Sequence, residues 1–510
     1  MKLAIGTSMF LAWMVGCGSY PGALCDDGAC GERDGGASAR DAEPSPAPAG
    51  CASGKDPKDD PACLTSDNGI FVDAAAAEGG DGTRERPLRS LGMAIARAAS
   101  RKGVVFACKG VYPEGVEITG RVSVFGGFEC PSWAHTGARS TVAPAIGVAL
   151  RVGKDATFLA QDFGWTAQDA TASSASSVAI VANRAALLAL TRCAVVAGAG
   201  AAGADGNGGV DGKAGNGGSA ASGLVHGVGG MTDCGGGSSS QGGNGGDGAA
   251  AMGQLGASGL STPATYEDAD PQLTGAGGGG FRNPGAADVA SAGRGGRNGA
   301  AGARTGVTAS VWGALGESGL EPAVSGSGGT GNVGQGGGGG GGGALSGGAG
   351  GGAGGCGGSG GAGGTSGGAS IAIASFRSTV RLDRTQLTTG APGAGGAGGA
   401  GGAGGTGGTS VAGGAPGGTG GNGAGGNGGA GGNGGVSVGV LYTDTAPFID
   451  GAQLQSIPAA AFHQAPEVAD NGGAGGSGGA PAKRPDHAGN PGKAGEAGRS
   501  GVRGAVLRLE

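Results

Sequence analysis

Short apolar runs in two-residue alternation recur along this chain, and they predict strands rather than helices. Ile70-Phe71-Val72, Val104-Val105-Phe106, Val116-Glu117-Ile118 and Val122-Ser123-Val124-Phe125 follow one another closely, with Gly in the intervening turns. One helical pattern interrupts them: Pro87 opens an amphipathic stretch from Leu88 to Ala99, with Leu91, Ile95 and Ala98 on one face. Val148-Ala149-Leu150, continued by Ala156-Thr157-Phe158-Leu159, returns 30 residues later as Val178-Ala179-Ile180 with Ala186-Leu187-Leu188-Ala189. Related runs stand at Ile371-Ala372-Ile373 with Val380-Arg381-Leu382, at Val438-Gly439-Val440 with Ala446-Pro447-Phe448-Ile449, and at Val502 to Leu509. Repeated strand pairs are what a stacked architecture needs if inward side chains are to meet those of the next layer.

Between these runs lies a second pattern, Gly-Gly-X, as in Ala394-Gly395-Gly396-Ala397-Gly398-Gly399-Ala400. A period of three fits neither a helix nor a strand, but it fits the extended left-handed threefold helix. Gly loses the most backbone freedom on ordering, which favours disorder. The long register favours a laterally bonded polyglycine-II bundle, and both states remain open. At Asn422-Gly423-Ala424 the X residues stand two apart, which predicts a bend.

The order strand, Gly turn, Pro-led helix and closely spaced strands resembles the opening of the right-handed parallel β-helix, or pectin-lyase-like, family. Ile70 to Asp73, Gly82-Thr83, Pro87-Leu88, the helix through Ile95, Gly110-Val111-Tyr112 and Val124 to Gly127 carry the likeness. The resemblance implies an all-β solenoid whose helix caps its apolar end. The low-complexity blocks resemble glycine-rich surface proteins of the PGRS type. The expected organisation is a signal peptide at 1–17, a Cys/Pro-rich tether at 18–66 and the first part of the β-helix at 67–196. Glycine-rich insertions at 197–368 and 391–435 then alternate with coils at 369–390 and 436–457. A Gly/Pro-rich loop at 458–500 leads to a terminal strand at 501–510.

Composition narrows the function. Of 510 residues 134 are Gly, 4% are aromatic and 14% are charged, so core material is confined to the strand runs. The net charge of −6 and the lack of a dense basic block argue against a nucleic-acid partner. Nothing after residue 20 is apolar for long enough to span a bilayer.

Met1-Lys2, the apolar run Leu3 to Val15 and Met14-Val15-Gly16-Cys17 resemble a bacterial lipoprotein signal with its lipobox, although Met14 stands where that family usually has Leu. The resemblance makes Cys17 the lipidated first mature residue. Gly18 and Ser19, with no Asp, imply the outer membrane by likeness to Gram-negative lipoproteins. A plain secretory signal is the alternative.

Export favours disulfides. Cys25, Cys30, Cys51 and Cys63 lie in the tether, where Cys25–Cys30 with Cys51–Cys63 and the cross-pairing are equally allowed. Cys108 and Cys130 each follow a strand-like run and are expected to pair. Cys234 and Cys356 sit among glycines and could staple them, whereas Cys193 reads as a buried free thiol.

Candidate chemistry is sparse. No zinc spacing occurs, and His135, His226, His463 and His487 are scattered far from the Cys pairs, so neither metal nor cofactor is expected. Asp155, Asp162 and Asp169 are seven apart and read as solvated turn residues. His135 shows no acid or nucleophile partner and reads as surface loop. Gly242 to Asp247 matches only the start of a calcium-binding nonapeptide. These observations favour a non-catalytic, lipid-anchored surface protein with a structural, adhesive or matrix-contact role. A polysaccharide-binding or polysaccharide-cleaving β-helix and an ice-binding protein are the alternatives.

Overall fold

Alternating apolar residues pair with their own repeats to build three parallel sheets. The computed structural model describes residues 55–101, 103–250, 252–267, 270–280, 290–303, 313–317, 319–411, 414–453, 462–464, 471–483 and 488–509. The first sheet runs Ile70–Val72, Val104–Cys108, Arg121–Glu129, Thr157–Gln161, Leu187–Thr191, Val380–Asp383 and Phe448–Ile449, all parallel. Antiparallel additions, Ala134–His135 and Ala452–Gln453, lie against Arg121–Glu129 and Phe448–Ile449. The second sheet orders Gly110–Tyr112, Ser140–Val142, Phe163–Thr166, Ala194–Ala197, Gln386–Thr389 and Phe462–Gln464. The third orders Val116–Ile118, Leu150–Val152, Ser177–Asn183, Ser370–Phe376, Ser437–Tyr442 and Arg503–Arg508.

From Leu150 onward the chain visits the third, first and second sheets in turn and then returns to the third. The recurring runs therefore meet in register: Val116, Leu150, Ile180, Ile373, Val440 and Val506 form one ladder across the third sheet. Val124, Ala160, Leu190, Leu382 and Ile449 form another across the first. All but Val506 are buried, in a core that also holds Phe158, Phe163 and Trp165, the last two stacked with centroids 5.3 Å apart. Stacking like on like lets each branched side chain fill the gap left by the one below.

The helix spans Leu91–Ala99 and buries Leu91, Ala94, Ile95 and Ala98 against this core. It begins three residues later than the pattern predicts. Ser90 caps it by accepting from the Met93 N–H, and the Glu114 carboxylate takes the N–H groups of Leu91 and Gly92 at 2.6 and 3.3 Å. Leu88 instead bridges to Val72 in the first sheet.

Residues 55–66, at the end of the stretch read as a tether, are docked on the strands. Pro61–Cys63 forms a 3-10 turn capped by Asp60, and Leu64 packs with Phe71, Phe106, Phe128 and Trp133.

The glycine-rich runs continue the sheets. The run after Ala194–Ala197 hydrogen-bonds to the run after Gln386–Thr389 at three-residue steps: Gly203, Gly206, Gly209, Gly212 and Gly215 donate to Ala394, Ala397, Ala400, Ala403 and Thr406. That run bonds in turn to the run beginning at Asn471, through Gly395, Gly398, Gly401 and Gly404. Runs entering the third sheet pair likewise, Gly355, Gly358 and Gly361 donating to Gly421, Ala424 and Asn427, and Gly428, Gly431 and Gly434 to Lys493, Glu496 and Arg499. Outgoing and incoming runs also bond antiparallel, as in Gly399 to Ala362, Gly402 to Ser359 and Gly405 to Cys356. On a threefold screw each donor turns by about 120°, so residues three apart face one neighbour and successive residues address different ones. The lattice accordingly satisfies backbone groups that water would otherwise have to meet.

Where neighbouring runs approach, the spacing leaves no room for side chains at the every-third glycines: a Cβ on Gly399 would lie 2.0 Å from the Asn207 carbonyl oxygen. No bend occurs at Asn422 to Ala424. Gly420, Gly423 and Gly426 keep donating to Gly408, Gly405 and Gly402 through it, so the X residues change face while the backbone register continues.

Candidate functional site

Residues at the corners between sheets adopt the left-handed backbone conformation, although none of them is Gly. Asp155, Arg184, Arg377 and Asp444 occupy one set of corners and Asp162, Arg192, Arg384 and Asp450 the other, with φ between 46° and 65°. The seven-residue step from Asp155 to Asp162 is thus one corner to the next, and the 30-residue repeat sets Arg192 beside Asp162. Asp with Arg recurs in both sets: Arg377 pairs with Asp444 at 3.2 Å, and the Arg384 N–H donates to the Asp450 carboxylate at 2.8 Å.

The most enclosed of these corners gathers charge. Arg192 donates to both carboxylate oxygens of Asp162 at 2.9 and 2.7 Å, to Asp56 at 2.8 Å and to the Gln161 side-chain oxygen at 3.1 Å. Its guanidinium is held charged above the usual Arg range, first by the hydrogen bonds it donates to Asp162. His135 Nε2 lies 3.3 Å from the second Asp162 oxygen. This corrects two expectations: Asp162 is buried rather than a solvated turn residue, and His135 has an acid partner. The signal in the sequence was the Asp162–Arg192 spacing of one repeat, and His135 arrives through the short antiparallel strand at Ala134–His135. Acid, base and cation converge here, but they bond one another and Asp56 of the docked segment. The arrangement acts as a clasp on residues 55–60.

The remaining sequence candidates are dispersed. Asp155 is exposed, and Asp169 accepts from the Ala199 N–H at 2.6 Å at the base of a glycine run. Asp247 accepts from His226 N and Nδ1, contacts that hold its carboxyl below the ordinary range. His463 lies in the strand Phe462–Gln464, and His487 lies outside the described residues.

Cys108 is bonded to Cys130 and Cys234 to Cys356, with Cα separations of 5.8 and 5.4 Å. Cys63 is also disulfide-bonded, whereas Cys17, Cys25, Cys30 and Cys51 lie outside the described residues. Cys193 is free and buried, its Sγ near the carbonyls of Ala160 and Thr191 at 3.5 and 3.4 Å, and burial pushes its thiol up to about 12. Asp73, Cys108 and Cys130 come within metal-ligand distance of one another, but the two cysteines bond each other and offer no thiolate.

A cleft of 530 Å³ beside the helix cap is lined by Asp73, Glu78, Arg84, Arg86, Pro131 and Trp133. Its cations are engaged: Arg84 donates to the carbonyls of Leu64 and Ser132, and Arg86 pairs with Asp81 at 3.4 Å. No helix among the described residues is long and apolar enough to cross a membrane. No protein-family model, curated protein or solved structure matches the chain.

Proposed function

We propose that the chain is an exported, lipid-anchored structural protein of the cell surface. In this reading the three sheets are the faces of one right-handed parallel β-helix, and the glycine runs form a polyglycine-II slab projecting from it. The observation that carries the reading is the lattice itself. Backbone hydrogen bonds at three-residue steps link runs from 199–219 to 489–499, with glycine where neighbours approach. Such an array is repetitive and held mainly by its own backbone, which suits load-bearing or many weak contacts more than turnover of a substrate. Exposed apolar side chains at its turns, including Leu224, Val225, Met252 and Leu345, provide adhesive points. The right-handed sense follows from the general preference of parallel crossovers.

Metabolic labelling with a fatty-acid analogue, comparing the native chain with Cys17→Ser, tests the anchor. Label is expected on the native protein only, and label persisting after the substitution would remove the anchor. Protease treatment of intact cells distinguishes an outward-facing body, which is cut, from one facing the periplasm. A glycan array on the soluble full-length Cys17→Ser chain separates a structural role from polysaccharide binding, which selective retention of one glycan class would establish.

A further inference from the structure

The glycine lattice ends in two edges of opposite hydrogen-bonding character. At one edge, in the runs beginning at Asn471 and Asn490, the backbone N–H groups of Gly475, Gly478, Ala494 and Ala497 have no acceptor among the described residues. They occupy the positions from which each earlier run donates to the next: Gly206 and Gly209 to Ala397 and Ala400, then Gly398 and Gly401 to Ala474 and Ser477. At the other edge, the run 199–219 has its first two outward carbonyls closed by Ala170 and Ser174, which donate to Ala199 and Ala202. Beyond them the carbonyls of Asp205, Gly208, Asp211, Ala214 and Gly217 have no donor among the described residues, and all five residues are exposed. In the direction in which each run donates to the next, one edge offers donors and the other acceptors, both at the three-residue step.

Net charge leans the same way, although each edge carries both signs: exposed Glu496 stands between Lys493 and Arg499, and exposed Lys213 follows Asp211. Exposed Lys493 and Arg499 stand six residues apart on the donor edge, and exposed Asp205 and Asp211 stand six apart on the acceptor edge. Six residues are two turns of a threefold extended helix, about 19 Å. Each Asp spends one oxygen on an internal bond, to the Ala397 or Ala403 N–H at 2.7 Å, and neither forms an ion pair among the described residues.

We propose that the donor edge of one molecule docks on the acceptor edge of a second copy, so that the slab grows by head-to-tail addition. The contact is heterologous and leaves a free edge of each kind, hence open-ended assembly rather than a closed dimer. The lattice already bonds neighbouring runs both parallel and antiparallel, and copies can slip by whole triplets, about 9 Å each. Clearance of the neighbour's strand body therefore does not require abandoning the register. The inference deepens the structural reading but does not depend on the lipid anchor.

Sedimentation velocity and electron microscopy of the full-length Cys17→Ser chain at low ionic strength test it. The native edges are expected to give a concentration-dependent rise in sedimentation coefficient and linear oligomers, weakened by salt. Ala494→Pro with Ala497→Pro removes two outward donors while keeping a backbone angle suited to the extended helix, as Pro491 does at the same phase. This pair should weaken association about tenfold or more at unchanged thermal midpoint. Asp205→Asn with Asp211→Asn keeps the internal acceptors, removes the charge and should flatten the salt dependence. A chain that stays monomeric over a wide concentration range, or oligomers indifferent to both pairs of substitutions, would overturn the proposal. Failure here leaves the labelling result untouched, so the two readings fall separately.

Discussion

At the scale of single residues, the X positions of the glycine runs are hydrogen-bonding devices as much as spacers. Asn427 and Asn433 are buried, and their side-chain oxygens accept from the Lys493 and Arg499 N–H groups of the next run at 2.9 Å. The Asn427 amide also donates to the carbonyls of Gly302 and Ala303. The short polar side chain supplies the bonds that a Gly at that position could not. Cys193 shows the opposite case, a side chain shut in among apolar neighbours. Its thiol titrates at about 12 when folded and at about 8.5 in an unfolded chain, so above about pH 8.5 only the unfolded state releases the proton. Its contribution is complete below that pH and is lost as pH rises toward 12, at about 1.4 kcal/mol per pH unit. Urea unfolding at pH 7 and pH 10 should show this alkaline loss in the native chain and its attenuation in Cys193→Ala. An identical loss in the variant would assign the effect elsewhere.

At the scale of elements, one backbone changes period as it leaves the sheets. Apolar residues at every second position make a strand up to Ala197, Thr389 or Gln464, and in the runs from 198, 390 and 471 glycine at every third position or more makes a threefold run bonded to the same neighbour. The order of strands in a sheet therefore dictates the order of runs in the slab. Gly399 donates to Ala362 within it, and an added methyl would drive into the Asn207 carbonyl. Gly399→Ala should destabilise the protein by about 1–3 kcal/mol, as overpacking does. Hydrogen exchange should quicken between 203 and 212 and between 396 and 405. Ala400→Gly, at an exposed X position one residue on, should stay within about 1 kcal/mol. Equal effects at the two sites would mean that close approach of the backbones does not govern the slab.

At the scale of the whole molecule, the two described disulfides tie different parts of the chain. Cys108–Cys130 closes a separation of 22 residues within the strand body, whereas Cys234–Cys356 closes 122 residues of glycine-rich chain. On the loop-closure account, replacing both members of the longer bridge by Ala should cost about 5 kcal/mol, against about 3 for the shorter. Thermal unfolding of the two double variants measures the difference, and a larger loss for the shorter bridge would contradict the entropic origin. Much of this organisation was legible beforehand. Spacing alone placed Leu150 with Ile180 and Phe158 with Leu188, because a two-residue alternation repeated at 30 residues can bury its apolar face only against its own copy. The left-handed corners were not legible, since Asp and Arg there carry no pattern distinct from an ordinary turn. Nor was the partner of His135, which lies 27 residues from Asp162 and reaches it through a short antiparallel strand. The slip at Asn422 makes no bend because side-chain spacing is not backbone spacing: Gly420, Gly423 and Gly426 keep the three-residue bonding step across it. The primary structure by itself determined the periods, two in the strands and three in the runs, because period is local geometry. Only the tertiary structure decided that the runs order, because each glycine's lost freedom is offset by hydrogen bonds whose partners stand up to about two hundred residues away, as Gly206 and Ala397 do.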